Sequence, residues 1–182
     1  MTLLRRVVLG TVFGLALGAG SVQAGGGGAP PPQAAVPCAP GYVRPDFAAL
    51  ERELVAARAQ WALAGVRSYR YEFRQVAAPV LFPTVLVLVL DRTVREVTLV
   101  AGESGPVSPL ARVTVEGRFD QIAQTLAAQR GQPCPVVEAE YAAEEGYPTR
   151  LYSGTGTANV ADGWGEWTVT RFIRVVQTLP GG

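Results

Sequence analysis

The fold of this chain is decided by residues 84–100, TVLVLVLDRTVREVTLV. Residues 84–90 are apolar and β-branched, which predicts a β-strand. Asp91 and Arg92 then turn the chain into a second predicted strand, residues 93–100. Because the first strand is apolar on both faces, we expect both faces to be covered, the second one either by a helix or by a hydrophobic ligand.

The residues before this pair of strands predict a helix and one further strand. In residues 45–65, PDFAALERELVAARAQWALAG, apolar side chains recur at helical spacing, with Asp46 as the N-cap and Gly65 as the C-terminal stop. Residues 67–76, RSYRYEFRQV, alternate aromatic with charged side chains, the period of a half-buried strand. We expect the aromatic row to form core beneath a helix; a ligand platform is the alternative.

The residues after the pair predict a loop, a second helix and more strands. Residues 101–110 are rich in Gly, Pro and Ser, which is typical of a loop. Thr114 is a candidate N-cap and Gly131 a candidate stop for a helix between them. Its apolar stripe consists of Phe119, Ile122, Ala123 and Leu126.

The final third of the domain alternates again. Residues 136–142 place Val137, Ala139 and Tyr141 opposite Glu138 and Glu140. Residues 166–176 place a second apolar set on one side, namely Trp167, Val169, Ile173 and Val175. The order helix, three strands, helix, three strands predicts an α+β domain with an antiparallel β-sheet and two helices.

Between these strands lies EEGYPTR, residues 144–150. Gly146 can adopt a positive φ, and Pro148 lacks a backbone donor, so we expect a hairpin connection that enters a short edge strand at residues 149–152. Tyr147 and Arg150 are the two candidate residues for contact with a partner.

The first residues predict export. Residues 1–24 contain Arg5 and Arg6, an apolar run and a small-residue ending, the pattern of a cleaved secretory signal peptide; an uncleaved anchor is the alternative. Residues 25–45 are rich in Gly and Pro and predict a flexible arm, and residues 46–178 form one predicted domain. We expect a periplasmic or extracellular protein with no membrane span after cleavage.

The two cysteines are Cys38, in the predicted arm, and Cys134, between two prolines. In an oxidising compartment an even number of cysteines favours a disulfide, which would attach the arm to the domain. Free thiols, or a redox or metal role, are the alternatives. The chain has neither a Cys-x-x-Cys motif nor any histidine that would support those roles.

Composition argues against several classes of function. The 16 basic residues are all arginine and stand against 15 acidic ones, a balance that gives no electrostatic footprint for nucleic acid. Without histidine, a Ser-His-Asp or Cys-His centre cannot be built within the chain. Glu138 and Glu140 point the same way from one strand, so a carboxylate-dependent hydrolase stays open as an alternative. We expect no catalytic residues, no cofactor and no metal.

Several short motifs carry a resemblance to a known family. They are Trp61, Ser68-Tyr69-Arg70-Tyr71, Phe119-Asp120-Gln121-Ile122, Tyr141, Gly146-Tyr147-Pro148-Thr149 and Asp162. In these the chain resembles the bacterial secreted and lipoprotein domains grouped as domain of unknown function 6174. Many similar domains carry Cys-x-Cys-Pro where this chain has residues 76–79, VAAP, and Asp-Pro where it has Ala142-Ala143. The resemblance implies a fold and no established activity.

The sequence therefore predicts a non-catalytic binding or interaction module of the cell envelope or the extracellular space. An envelope protein or another envelope component is the expected partner. A carrier of a small hydrophobic ligand, using residues 81–90, is the first alternative, and the carboxylate hydrolase is the second.

Overall fold

The computed structural model describes residues 37–158 and 162–176. The predicted signal peptide, residues 1–24, and residues 25–36 of the predicted arm lie outside the described residues. The helices are α1 (Phe47–Ala64) and α2 (Val115–Arg130), with a 3-10 turn at Pro109–Ala111. The strands are β1 (Tyr69–Ala77), β2 (Val80–Leu81), β3 (Val85–Leu90), β4 (Thr93–Leu99), β5 (Pro135–Tyr141), β6 (Pro148–Thr155) and β7 (Gly165–Arg174).

The seven strands form one antiparallel sheet in the order β4-β3-β1-β7-β6-β5, and β2 pairs with the end of β1. The predicted α+β class with two helices is confirmed. The short strand β2 is an addition to the predicted order. The pairing of β1 with β7 places the first and last long strands side by side at the centre of the sheet.

Both helices cover the same face of the sheet. Their buried side chains join one core with every second residue of the strands, including Tyr69, Tyr71 and Phe73 of β1. The aromatic row is therefore core, as expected. The alternate residues of the strands lie on the other face, which we call the open face because no helix within residues 37–158 and 162–176 covers it.

The predicted capping residues are found at both ends of α1 and at the start of α2. The carboxylate of Asp46 accepts hydrogen bonds from the backbone N–H groups of Ala48 and Ala49, and Gly65 ends α1 in the left-handed conformation. Thr114 caps α2. The hydroxyl of Tyr69 accepts a further hydrogen bond, from the N–H of Val115, so a core tyrosine positions the start of α2.

The predicted burial of β3 on both faces is only half realised. Val85, Val87 and Val89 are buried beneath the helices, whereas the alternating leucines are partly exposed on the open face. The reason is that both helices lie on the valine side. A groove of about 230 Å³ on the leucine side is lined in part by Arg70, Glu96 and Thr98.

The prediction that Ile173 faces the core is wrong. A β-bulge opposite Tyr71 inserts an extra residue into β7, and Arg171 there has a φ of 50°. The side-chain alternation therefore shifts by one residue. Phe172 packs into the core, and Ile173 is exposed.

The prediction of a short edge strand after Pro148 is also wrong. β6 has 8 residues and lies inside the sheet, between β5 and β7. Pro148 is tolerated because it is the first residue of β6 and precedes the residues that pair with β7, which begin at Arg150. The edge strand of this hairpin is β5.

Candidate functional site

The end of the predicted arm lies against the domain. Cys38 and Cys134 form a disulfide with a Cα–Cα distance of 5.6 Å. The Tyr42 hydroxyl donates to the Pro135 carbonyl at 2.8 Å, and the Ala39 N–H donates to the Gly156 carbonyl at 2.7 Å. The disulfide is thus one of several attachments of residues 37–45 to the domain.

The structure does not bring the two candidate partner residues together. Tyr147 lies on the helix side, where its ring stacks on Phe172 at 4.2 Å between centroids and meets Trp61 edge-on at 6.3 Å. Arg150 lies on the open face. Partner contact by either residue is untested by these positions and stays a prediction.

Arg150 collects three carboxylates on the open face. Its Nη1 donates to Glu138 at 2.8 Å and to Glu140 at 2.9 Å, and its Nε donates to Glu166. The hydrogen bonds that Arg150 donates, first to Glu166 and then to Glu138, raise the pKa of Arg150. The two carboxylates of the hydrolase hypothesis thus both accept hydrogen bonds from one guanidinium.

A cavity of about 420 Å³ lies between α2 and the sheet. We call it the α2 cavity. Its helix wall is formed by residues that recur at helical spacing, which places them on one face of α2; they are Gln121, Gln124, Thr125 and Ala128. Its sheet wall and rim are formed by Gln75, Leu110, Leu151, Ser153, Gly165, Glu166 and Trp167.

Two glutamine side chains of the α2 cavity have a fixed orientation. Gln121 Oε1 accepts a hydrogen bond from Arg118 Nη1 at 3.0 Å. Gln75 Oε1 accepts one from the Ser108 hydroxyl, which itself accepts from the Leu110 N–H. Since arginine can only donate, the oxygen of Gln121 must face Arg118. In both glutamines the NH2 group is the one left for other partners.

Arg118 is the most unusual residue of the core, with 0% of its surface exposed. Its guanidinium lies 3.8 Å from the ring centre of Phe73 and 5.3 Å from that of Trp167. Besides the bond to Gln121, it donates to the Tyr71 hydroxyl at 3.5 Å. Burial lowers the pKa of Arg118, and the nearby hydroxyl of Tyr71 partly offsets this effect.

Within residues 37–158 and 162–176, no carboxylate forms a salt bridge with Arg118, and its Nε has no hydrogen-bond partner. Sequence reasoning missed this residue because an arginine in an amphipathic helix is normally assigned to the exposed side. The spacing did contain a signal: Arg118, Ile122 and Leu126 are four residues apart and share one face.

Two kinds of feature are absent from the described part of the chain. It contains no cluster of three or more His, Cys, Asp or Glu side chains arranged to hold a metal ion. Nor does it contain a helix long and apolar enough to cross a membrane.

Comparison with known proteins agrees with the resemblance seen in the sequence. The family described as "Family of unknown function (DUF6174)" matches residues 53–174, a range that contains Arg118 and every residue lining the α2 cavity. No curated protein and no solved structure matches the chain. The match spans well over half of the 182 residues, and the chain belongs to this family of unknown function.

Proposed function

We propose that this protein is a non-catalytic, exported binding module, and that the α2 cavity is its binding site for a small molecule. The observation that carries the proposal is the cavity itself. Its volume, about 420 Å³, falls within the ~300–1,000 Å³ usual for ligand pockets. Its walls combine apolar side chains with a few polar groups in fixed orientations, the composition that small-molecule sites share.

The chemistry of the lining favours binding over catalysis. Glutamine amides and the hydroxyls of Thr125 and Ser153 offer hydrogen bonds, while Leu151 and Trp167 offer apolar contact. The carboxylates required by the hydrolase hypothesis, Glu138 and Glu140, lie on the open face and bind Arg150. That arrangement is typical of an ion-paired surface rather than of a general acid.

The export part of the proposal has two supports. Residues 1–24 have the pattern of a secretory signal peptide. The disulfide between Cys38 and Cys134 is of the kind that forms and persists in oxidising compartments. The periplasm or the extracellular space is therefore the proposed location.

The hydrophobic-carrier hypothesis requires a different ligand site from the predicted one. The predicted region, residues 81–90, borders a groove of about 230 Å³ whose lining includes Arg70 and Glu96. Two charged side chains make this groove a poor container for an apolar molecule. The α2 cavity is larger, and we place the small-molecule site there instead.

The test uses two neighbouring alanines of α2. Ala127 and Ala128 are both exposed, but only Ala128 lines the α2 cavity. The mature chain, an Ala128→Trp variant and an Ala127→Trp variant are each incubated with extract from the native cell envelope, purified again, and analysed by mass spectrometry for small molecules.

A small molecule retained by the unmodified chain and by Ala127→Trp, but lost from Ala128→Trp, is the expected result. The proposal fails if all three proteins retain the same molecules, or if only a protein partner is captured and Ala128→Trp holds it equally well. The second outcome would favour an interaction surface elsewhere, such as Arg150 on the open face.

A further inference from the structure

Arg118 carries a buried charge behind the wall of the α2 cavity, which it does not itself line. Arginine is almost never fully buried unless it is paired with an anion, because the loss of hydration is costly. The rings of Phe73 and Trp167 and the oxygen of Gln121 compensate only part of this loss. The buried positive charge thus forms no salt bridge among the described side chains. The carboxylate of Glu116, two residues before it in α2, accepts a hydrogen bond from Trp61 instead.

An anion bound in the α2 cavity would lie near enough to balance the charge of Arg118. Gln121 and Trp167 each contact Arg118 on one side and line the α2 cavity on the other. Arg118 also lies about one helical turn before Gln121 on the same face of α2, next to the N-terminal end of the cavity's helix wall. Arg118 is separated from the cavity by protein atoms rather than by water, and a charge acts more strongly through protein than through water.

The polar groups of the α2 cavity fit the same kind of ligand. The side-chain oxygens of Gln75 and Gln121 each accept a hydrogen bond within the protein, so the NH2 groups are the donors that both side chains offer to a ligand. Glu166 is the one carboxylate among the lining residues, and its side chain binds Arg150 on the open face. Two donors backed by a buried cation select for an acceptor that carries negative charge.

We propose that the α2 cavity binds a small organic carboxylate with an apolar body, and that Arg118 supplies the compensating positive charge; this inference rests on the proposed function. We place the carboxylate beside Gln121, which contacts Arg118, and the apolar body against Leu151 and Trp167. The cavity has the volume of roughly 14 water molecules at ~30 Å³ each, which sets the size of the ligand.

The experiment measures binding of three acids and of their neutral amides by calorimetry. The pairs are phenylacetate with phenylacetamide, indole-3-acetate with indole-3-acetamide, and octanoate with octanamide. We expect at least one acid to bind tighter than its amide by about tenfold or more, a preference that Ala127→Trp keeps and Ala128→Trp abolishes.

Two variants test the role of Arg118. Arg118→Met removes the charge and should reduce the preference for acid over amide to about onefold. Gln121→Glu keeps the shape of the side chain and places a carboxylate beside Arg118 within the protein, so it should remove the preference even if Arg118→Met does not fold. Gln132→Glu adds the same charge at an exposed position that does not line the α2 cavity, and we expect it to leave the preference intact.

Three outcomes would overturn the inference. If the amides bind as tightly as the acids, and Ala128→Trp blocks both, the cavity is a binding site but its ligand is not selected by charge. If acids are preferred and Gln121→Glu keeps that preference, Arg118 is not the compensating group. If neither acids nor amides bind, and Ala128→Trp retains the same envelope molecules as the unmodified chain, the proposed function fails together with the inference.

Discussion

Removal of the disulfide should cost much of the stability of this domain. Cys38 and Cys134 are 96 residues apart, so the bridge closes a loop that spans both helices and the first four strands. A loop of this size lowers the entropy of the unfolded chain by the equivalent of about 4.7 kcal/mol at 25 °C. Domains of ordinary stability unfold at a cost of ~5–15 kcal/mol, so the Cys38→Ser/Cys134→Ser variant should lose a large fraction of its free energy of unfolding.

The folded state should change little in this variant. The hydrogen bonds of Tyr42 to Pro135 and of Ala39 to Gly156 do not depend on the bridge, and neither does the hydrogen bond from the N–H of Gly156 to the Cys134 carbonyl. The effect therefore arises mainly in the unfolded chain. Residues 37–45 should stay docked, and amide exchange at Ala39 should follow the stability of the whole domain.

Urea unfolding followed by far-UV circular dichroism gives the free energies of the oxidised protein and of the variant. Hydrogen exchange at Ala39 reports on the docking of the N-terminal segment. A loss below about 1 kcal/mol, with fast exchange at Ala39, would refute the reasoning, since the bridge would then hold only the segment and not constrain the unfolded chain.

Three further predictions concern the core, a turn and the pH dependence of stability. Arg118→Met should leave the free energy of unfolding unchanged or raise it by ~1–2 kcal/mol in urea titrations, because it removes a buried charge that lacks a carboxylate; a loss above ~2 kcal/mol would contradict this. Gly146→Ala should cost ~3 kcal/mol in the same titrations, since Gly146 has a φ of 77° and a Cβ there would lie 2.6 Å from the Ala57 carbonyl oxygen. The control Gly102→Ala, at a φ of 86° but in open space, should cost only ~1 kcal/mol. Equal losses in the two variants would contradict the close approach at Gly146. Burial raises the pKa of Tyr69 and Tyr71 above 10.0, so both tyrosines ionise at a lower pH in the unfolded chain than in the folded protein. Stability should therefore be constant up to about pH 10 and fall above it. A urea midpoint that does not decrease between pH 9 and 11 would contradict this.

Much of the fold could be predicted because local signals agree with the final packing. The strands at residues 84–90 and 93–100 are present as β3 and β4, joined at Asp91 and Arg92, which both have positive φ. The caps at Asp46 and Thr114 are also as predicted. Each of these features depends on residues that are adjacent in the sequence, so local chemistry is sufficient to find them.

The errors in the fold arise where strands distant in sequence meet. Nothing near Arg171 signals the bulge that exchanges Phe172 for Ile173 in the core, because the bulge is defined by pairing with β1. The inner position of β6 likewise depends on the approach of β7. Pro148 is typical of an edge strand, but here it lies just before the residues of β6 that pair with β7.

The candidate site could be predicted least. Its lining combines α2 with strands that are distant in the chain, and its central residue, Arg118, has a side chain that sequence rules assign to solvent. Tyr147 and Arg150 are neighbours in the sequence, yet they lie on opposite faces of the sheet. Tertiary packing determines which charged residue is buried. In the sequence, only the spacing of Arg118, Ile122 and Leu126 indicates that Arg118 lies on the buried face.

The most direct test of the α2 cavity as an anion site is an NMR titration that observes the side-chain NH2 groups of glutamine while the acid that binds most tightly in the calorimetry is added. Gln60 is the internal control, because its NH2 group is already bound to the carbonyls of Ala143 and Glu144, away from the α2 cavity. Saturable shifts of the Gln75 and Gln121 signals are the predicted result, with those of Gln60 unchanged and with half-saturation by the matching amide at about tenfold higher concentration or more. Signals of Gln75 and Gln121 that stay fixed with the acid, or that move equally with the amide, would contradict the account.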